Sequence, residues 1–314
     1  MNSKDTFYRD RERCKSPSTH IIEGATESPL KEIDGLYGTA DVLSMQNAKR
    51  HRLILLALSF AGTLLTLAFL LYDEAELHGL IVACGAMILC LFCIRFMADR
   101  LGCHRKYLEY RVLAECLRCQ FFLSFAGMKT RVLDLLPWSV REGIPWIPEV
   151  LSSVSDCSAA ENGSILDPWI VNQKEYHKKA LANTVTKNRR NSSAAKAVFA
   201  VTVAAYVAAL LHEFIVYGNA AGTEHADLIR AILKTVLGTM SAVTLFTGSF
   251  YGKMSLPNVI DDHKRMISLY ETAEKEIAKR GESEELLVFL AREFLNENST
   301  WYAYQSKNGP DIAI

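Results

Sequence analysis

Arg111, Glu115 and Arg118 lie four and three residues apart within EYRVLAECLRCQ (109–120). On a helix that spacing puts all three on one face. Arginine forks so placed have two uses. They can pair with carboxylates inside one subunit, or they can form a switchable contact or anion site for phosphates or a partner's carboxylates. Cys116 and Cys119 in the same stretch, with Cys103 and His104 upstream, have the CxxC form of half a zinc site. Zinc takes four ligands on closed, well-spaced elements, and two cysteines on a helix beside an ionic stripe supply no such set. Packing cysteines are the expected reading, as for Cys90 and Cys93. His177 with Glu175, and His212 with Glu213, hold groups that can move protons. No nucleophile stands at recognisable spacing from either, and neither GxSxG nor HExxH occurs. No enzyme activity, metal or cofactor is expected.

The helix that carries the ionic stripe is expected from near Ala98 to Gly127. Leu108, Tyr110, Val112, Leu113, Leu117, Phe121 and Phe122 surround the three charges. A solvated helix keeps a single apolar stripe, whereas this one is apolar nearly all round. Its charges are therefore expected to pair within a helix bundle or subunit contact, because an unpaired buried charge is expensive.

Upstream, Leu53–Tyr72 is about twenty residues without a charge, enough to span the roughly 30 Å hydrocarbon core. Gly79–Ile94 is a second uncharged run that ends at Arg95. Lys49, Arg50, His51 and Arg52 precede the pair, and Asp73, Glu74 and Glu76 connect its members. Basic residues favour the cytoplasmic side, so the N-terminus and the residues after Arg95 are expected inside. Ala197–Leu211 and Thr235–Gly252 are shorter or less apolar. They read either as buried helices of a soluble domain or as a second hairpin. KNRR at 187–190 before the third run and Lys253 after the fourth favour the hairpin.

The fourth run is rich in small and hydroxylated residues: Thr235, Thr239, Ser241, Thr244, Thr247 and Ser249, among Gly238, Ala242, Gly248 and Gly252. Such residues let membrane helices approach closely and bond across or back to their own backbone. The same six hydroxyls are candidates to line an oligomeric pore. Lys196, Glu213, Arg230 and Lys234 either line vestibules or snorkel to the interface.

The rest of the chain reads as helix and loop. LPWSVREGIPWIPEV carries Pro137, Pro145, Pro148, Trp138 and Trp146, and the polar SSVSDCSAAENGS after it is expected to be flexible. An amphipathic helix is expected over 169–190, with Asp167 as its cap and Pro168 in its first turn. Two tail helices, about 258–280 and 283–298, are separated by Gly281. No βαβ alternation, phosphate-loop glycine pattern or dinucleotide fingerprint is present. Net charge is zero over 314 residues, which argues against nucleic acid as a partner. Eight cysteines without a small-domain framework fit a reducing compartment. The polar, charged N-terminus does not begin as a cleavable signal peptide.

YRVLAECLRCQFF (110–122), WIVNQKEYH (169–177) and ENSTWYAY (297–304), placed after a membrane hairpin, resemble the SLATT superfamily of prokaryotic membrane effectors. The likeness is to its longer subgroup with two hairpins. It covers roughly 36–304 and extends weakly upstream through LYGTADVLSMQNAKRHR (36–52). The resemblance implies an antiphage role, with oligomeric pores formed in the bacterial inner membrane when a partner or nucleotide signal reports infection. It adds Trp169, Gln173, Tyr176 and His177 to Arg111, Glu115 and Arg118 as assembly or gating candidates. It matches Cys116 and Cys119 to small or apolar residues rather than ligands. Many relatives carry a fused sensor, and the fifty or so residues before the first span are too few for a typical one.

The expected fold class is thus an all-α polytopic membrane protein, two transmembrane hairpins with a cytosolic helical bundle and both termini cytoplasmic. Its expected segments are a flexible N-terminus (1–35), a lead-in, first hairpin and long helix (36–127), and a Pro/Trp loop (128–168). A helix with the second hairpin (169–256) and the tail helices (257–314) follow. The expected partners are the lipid bilayer, further copies of the chain, and a sensor protein or signalling nucleotide. The alternatives are a constitutive small-solute channel or transporter subunit, and a membrane-anchored interaction scaffold.

Overall fold

The computed structural model describes residues 3–16, 18–22, 28–74, 79–154, 164–217, 224–254 and 256–307. Most of these residues are helical, and there is no strand among them. The long helices are α2 (Ser28–Glu74), α3 (Leu80–Leu101), α4 (Cys103–Phe125), α8 (Asn172–Leu211), α9 (Glu224–Met254), α10 (Leu256–Arg280) and α11 (Glu284–Lys307). Shorter ones are α1 (Lys4–Arg13), α5 (Val132–Leu135), α6 (Trp138–Gly143) and α7 (Trp146–Ser152). Single π-helical segments precede α8 at Leu166–Val171 and follow it at His212–Tyr217.

The chain divides into two compact units. The first holds Met1–Arg50, Gly102–Ala182 and Ile260–Ile314. It is a helical bundle with α4 at its centre, where Leu108, Val112, Leu113, Leu117, Phe121 and Phe122 are all buried. This is the outcome expected of a helix apolar on every side. α11 packs along α4 through Leu287, Leu290, Phe294 and Leu295, and α10 contributes Tyr270, Ala273 and Ile277. Both sets recur at helical spacing. Gly281 separates α10 from α11 with φ of 74°, a conformation glycine adopts without the penalty a Cβ would bring.

Four expectations are corrected here. The N-terminal 35 residues are not simply a polar tail. Lys4–Arg13 forms a helix capped by Ser3, whose hydroxyl accepts from the Thr6 amide at 3.2 Å. Its Phe7 is fully buried against Tyr110 and Trp146, and the lead-in helix begins at Ser28, before residue 36. The Pro/Trp segment is not a loop either. Pro137 and Pro145 each stand at a helix start, the position that tolerates a missing amide hydrogen. α5, α6 and α7 bury Val132, Val140, Trp146, Ile147 and Val150.

The stripe-bearing helix starts at Cys103 rather than near Ala98, because Gly102 adopts a left-handed conformation with φ of 57°. Asp167, finally, does not cap the helix after it. The Glu282 carboxylate does so from the α10–α11 turn, accepting from Ser164 Oγ (2.6 Å) and the amides of Ile165 (3.1 Å) and Leu166 (3.2 Å). Most of SSVSDCSAAENGS, from 155 to 163, lies outside the described residues.

The second unit holds His51–Leu101 and Asn183–Val259. Four helical stretches, Leu30–Glu74, Leu80–Phe125, Leu166–Ile215 and His225–Arg280, are each long and apolar enough to cross a membrane. Their apolar runs at 53–72, 80–94, 197–211 and 235–252 all fall in this unit. Phe60, Phe69, Val82, Leu89, Phe92, Phe199 and Leu245 are exposed. An apolar surface of this extent on a lone chain marks a face that something else covers.

Candidate functional site

The ionic stripe becomes part of a closed network inside the first unit. Arg111 Nη2 lies 2.6 Å from Glu115 Oε1, and Arg118 Nη1 donates to Glu115 Oε2 at 2.6 Å. α2 supplies the remaining partners. Asp41 Oδ1 accepts from Arg111 Nη1 at 3.2 Å, and the Tyr37 phenol oxygen accepts from Arg118 Nη2 at 2.6 Å. Thr19 donates to the other Asp41 oxygen at 3.0 Å. Two guanidinium groups thus meet two carboxylates, and each fork is engaged by groups of the same chain.

The ordinary cost of burying charge is visible at each group. Burial disfavours the Glu115 carboxylate, but Arg111 and Arg118 more than offset this and hold its pKa below the usual carboxylate value. Burial likewise opposes charge on Arg118, and Glu115 reverses the effect, so the guanidinium stays charged. The Tyr37 phenol is pushed up, first by burial, and stays protonated.

An aromatic stack connects the segments carrying the other candidates. The Trp169 ring lies parallel to Phe122, 4.9 Å between centroids and 6° between planes, and Phe294 sits 5.2 Å away on a tilted plane. Tyr270 stacks on Phe294 at 4.6 Å. His177 is 5.7 Å from Tyr270, and its Nδ1 is 3.1 Å from Nδ1 of His263. Burial, then the neighbouring His263, lowers the His177 pKa to about 4, against which the Glu115 charge acts only partly. His177 is therefore neutral near pH 7, as is His263, also lowered mainly by burial.

Of the seven assembly or gating candidates, Arg111, Glu115 and Arg118 touch one another, Trp169 fills the core and His177 borders both. Gln173 is half-buried one turn before His177 on the same face of α8, while Tyr176 is half exposed, its ring nearly perpendicular to that of His177 with 5.3 Å between centroids. Sequence reasoning does not single out Tyr37, Asp41, His263 or Tyr270. A signal existed for the first two, since they stand four apart on a helix, at the spacing that presents both to one neighbour. Cys116 and Cys119 are wholly buried, and burial raises both thiols, so they are protonated packing groups.

The six hydroxyls of α9 do not form one face. At about 100° per residue they spread round the helix. Thr244 faces α8 and lies 2.8 Å from the Thr202 hydroxyl, whereas Ser241 and Ser249 are exposed. Thr239, Ser241 and Thr244 also donate to the carbonyls of Thr235, Leu237 and Met240 on their own helix. Thr235 and Thr247 are half-buried. α2 and α9 approach closely at glycines: a Cβ on Gly238 would stand 2.6 Å from Leu70, and one on Gly62 would stand 2.5 Å from the Phe246 ring. At the other end, Arg230 grips Glu213 through two bonds of 2.8 and 3.0 Å, and Lys234 donates to Glu74 at 3.0 Å.

Compared with known proteins, the chain matches no family model, no curated protein and no solved structure.

Proposed function

We propose that this chain is a membrane effector whose four apolar helices form two hairpins in the bacterial inner membrane. The first unit is then its cytosolic bundle, and both termini are cytoplasmic. On activation by a partner protein or nucleotide signal it assembles with further copies and opens a pore, or otherwise breaches the membrane, as an antiphage response. The observation that carries the reading is the pairing of four membrane-length helices, their apolar faces exposed, with a folded helical unit rich in buried charge. The resemblance to SLATT effectors supplies the defence context.

Two helices, α2 and α8, continue without a break from residues of the first unit into residues of the second. Activation at the bundle therefore has a covalent helical route toward the spans. On this reading the α2–α4 ion network is the contact that a trigger would load.

The test is membrane-potential dye fluorescence in cells expressing the full chain with its activating partner, together with dye release from liposomes holding the purified protein. Loss of potential and release of dye are expected on activation. Intact polarisation under authentic activation would overturn the pore reading. Deleting 197–252 while keeping the first hairpin separates a pore, which the deletion abolishes, from a scaffold, which it spares.

A further inference from the structure

A cleft of about 350 Å³ opens in the second unit between α8 and the α9–α10 junction. Asn188, Asn191 and Ser192 line it from one face of α8, being three and four residues apart. Tyr251 of α9, with Leu256 and Asn258 of α10, lines it from the other side. Leu256 is buried, Asn188, Asn191, Tyr251 and Asn258 are half-buried, and Ser192 is exposed. The cations beside them in sequence, Lys187, Arg189 and Arg190, do not line the cleft. Among the described residues its wall carries no charge.

That wall discriminates between classes of ligand. A charged group would enter without a counter-ion and lose its water, which is costly. A wholly apolar ligand would strip water from three carboxamides and a hydroxyl and return no bonds to them. Among the described residues, the side chains of Asn188, Asn191, Ser192 and Tyr251 make no hydrogen bond to another group of the chain, so their capacity is open to a ligand. Each carboxamide offers donors and an acceptor, and a hydroxyl both donates and accepts. Neighbouring hydroxyls on one molecule therefore match the α8 face. The C–H faces of a sugar ring are the apolar counterpart of Tyr251 and Leu256. The volume suits a small ligand.

We propose that this cleft binds a neutral saccharide, free in solution or carried as the headgroup of a glycolipid. Asn188, Asn191 and Ser192 hold its hydroxyls, and Tyr251 and Leu256 meet its apolar side. The glycolipid source rests on the membrane reading above, because the cleft residues lie within three turns of the apolar run that begins at 197 and at the end of the run that closes at 252. The site itself does not depend on that reading.

The experiment uses the full chain purified in a detergent without a sugar headgroup. Its variants are Asn188→Leu/Asn191→Leu, which removes the carboxamides, and Ser192→Leu, which adds bulk at an exposed position. Asn183→Leu, exposed and outside the cleft, is the control. Thermal unfolding checks that each variant folds, and Ser192→Leu keeps the test open if the double variant does not. Calorimetry measures binding of maltose, with pyrophosphate and choline as charged probes. Native mass spectrometry counts adducts of monoglucosyldiacylglycerol against phosphatidylethanolamine. Maltose binding that falls tenfold or more in the cleft variants and survives in Asn183→Leu supports a free saccharide. A glucolipid preference lost in the same pattern supports a lipid headgroup. No saccharide binding in either arm, binding indifferent to the cleft variants, or a charged probe bound as tightly as maltose overturns the proposal. Alkaline extraction of native membranes reads the membrane assignment separately, so a chain released by alkali would remove that assignment while the maltose arm still tests the site.

Discussion

Arg118 holds Tyr37 in two ways. Its guanidinium donates to the phenol oxygen at 2.6 Å and also lies over the ring, 5.1 Å from the centroid. Eighty-one residues separate the two in sequence, so this contact joins α2 to the central helix of the bundle. Because the phenol is buried and neutral, the arginine depends for its counter-charge on Glu115, three residues away on its own helix.

Removing that counter-charge is expected to be the most damaging single change in the network. Glu115→Gln leaves two half-buried to buried arginines facing Asp41 alone, and breaking such a pair costs about 3–5 kcal/mol. Tyr37→Phe removes one bond to a charged donor while keeping the ring, a loss of about 1.5–3 kcal/mol. Thermal unfolding of the purified full chain should rank them in that order. An equal or reversed ranking would show that Glu115 is not the centre of the network.

Trp169→Ala opens a cavity between Phe122 and Phe294 and is expected to cost about 3–5 kcal/mol. Trp169→Phe keeps a ring in the stack and should cost markedly less. Near-ultraviolet circular dichroism should lose most of its aromatic signal in the alanine variant and retain part of it in the other.

Acid should loosen the bundle through His177. Its folded pKa of about 4 lies below the ordinary histidine value of 6.5, so the unfolded chain takes up the proton first. Its contribution to stability is full above pH 6.5 and shrinks as pH falls through the window toward 4. The groups facing it are His263 and Tyr270 on α10, and Glu115, Arg111 and Arg118 on α4. Protonation would add a positive charge beside two arginines and a second histidine. Unfolding midpoints measured from pH 7.5 to 4.5 should fall, and His177→Gln should flatten the dependence; an unchanged slope in that variant would exclude His177 as its source.

In the second unit, Gly62→Ala should destabilise far more than Gly248→Ala. The added methyl at 62 meets three atoms of the Phe246 ring at 2.5–3.0 Å, whereas the one at 248 meets nothing within 4 Å. Overpacking of this kind costs about 1–3 kcal/mol. Thermal unfolding in detergent distinguishes the two variants, and equal midpoints would mean that α2 and α9 do not approach closely there.

Sequence makes some of this plain and conceals the rest for physical reasons. The four apolar runs are legible because membrane-length hydrophobicity is a local property, and Gly281 is legible as a helix break because its freedom is local too. The burial of α4 follows from its apolar circumference. α1 escapes notice because it buries a single residue, Phe7, in a polar stretch. Its Asp10 is fixed by Lys106 and Tyr110, 96 and 100 residues away. The short helices at 132–152 hide behind prolines that mark starts rather than interruptions. The Glu282 cap could not be anticipated from the residues near Asp167, because it arrives from more than a hundred residues away. The hydroxyls of α9 looked like a set by composition, yet composition carries no angular information, and on the helix they diverge.

The discontinuity of the first unit has a consequence for synthesis. Its core requires α11, the last described helix, whose Leu287, Leu290 and Phe294 lie against a helix translated long before. A ribosome that has made all four apolar runs has still not released the segment that covers Phe122 and Trp169. A chain truncated early therefore holds every apolar run but an unfinished bundle. Quality control has an exposed aromatic surface to recognise until α11 is made.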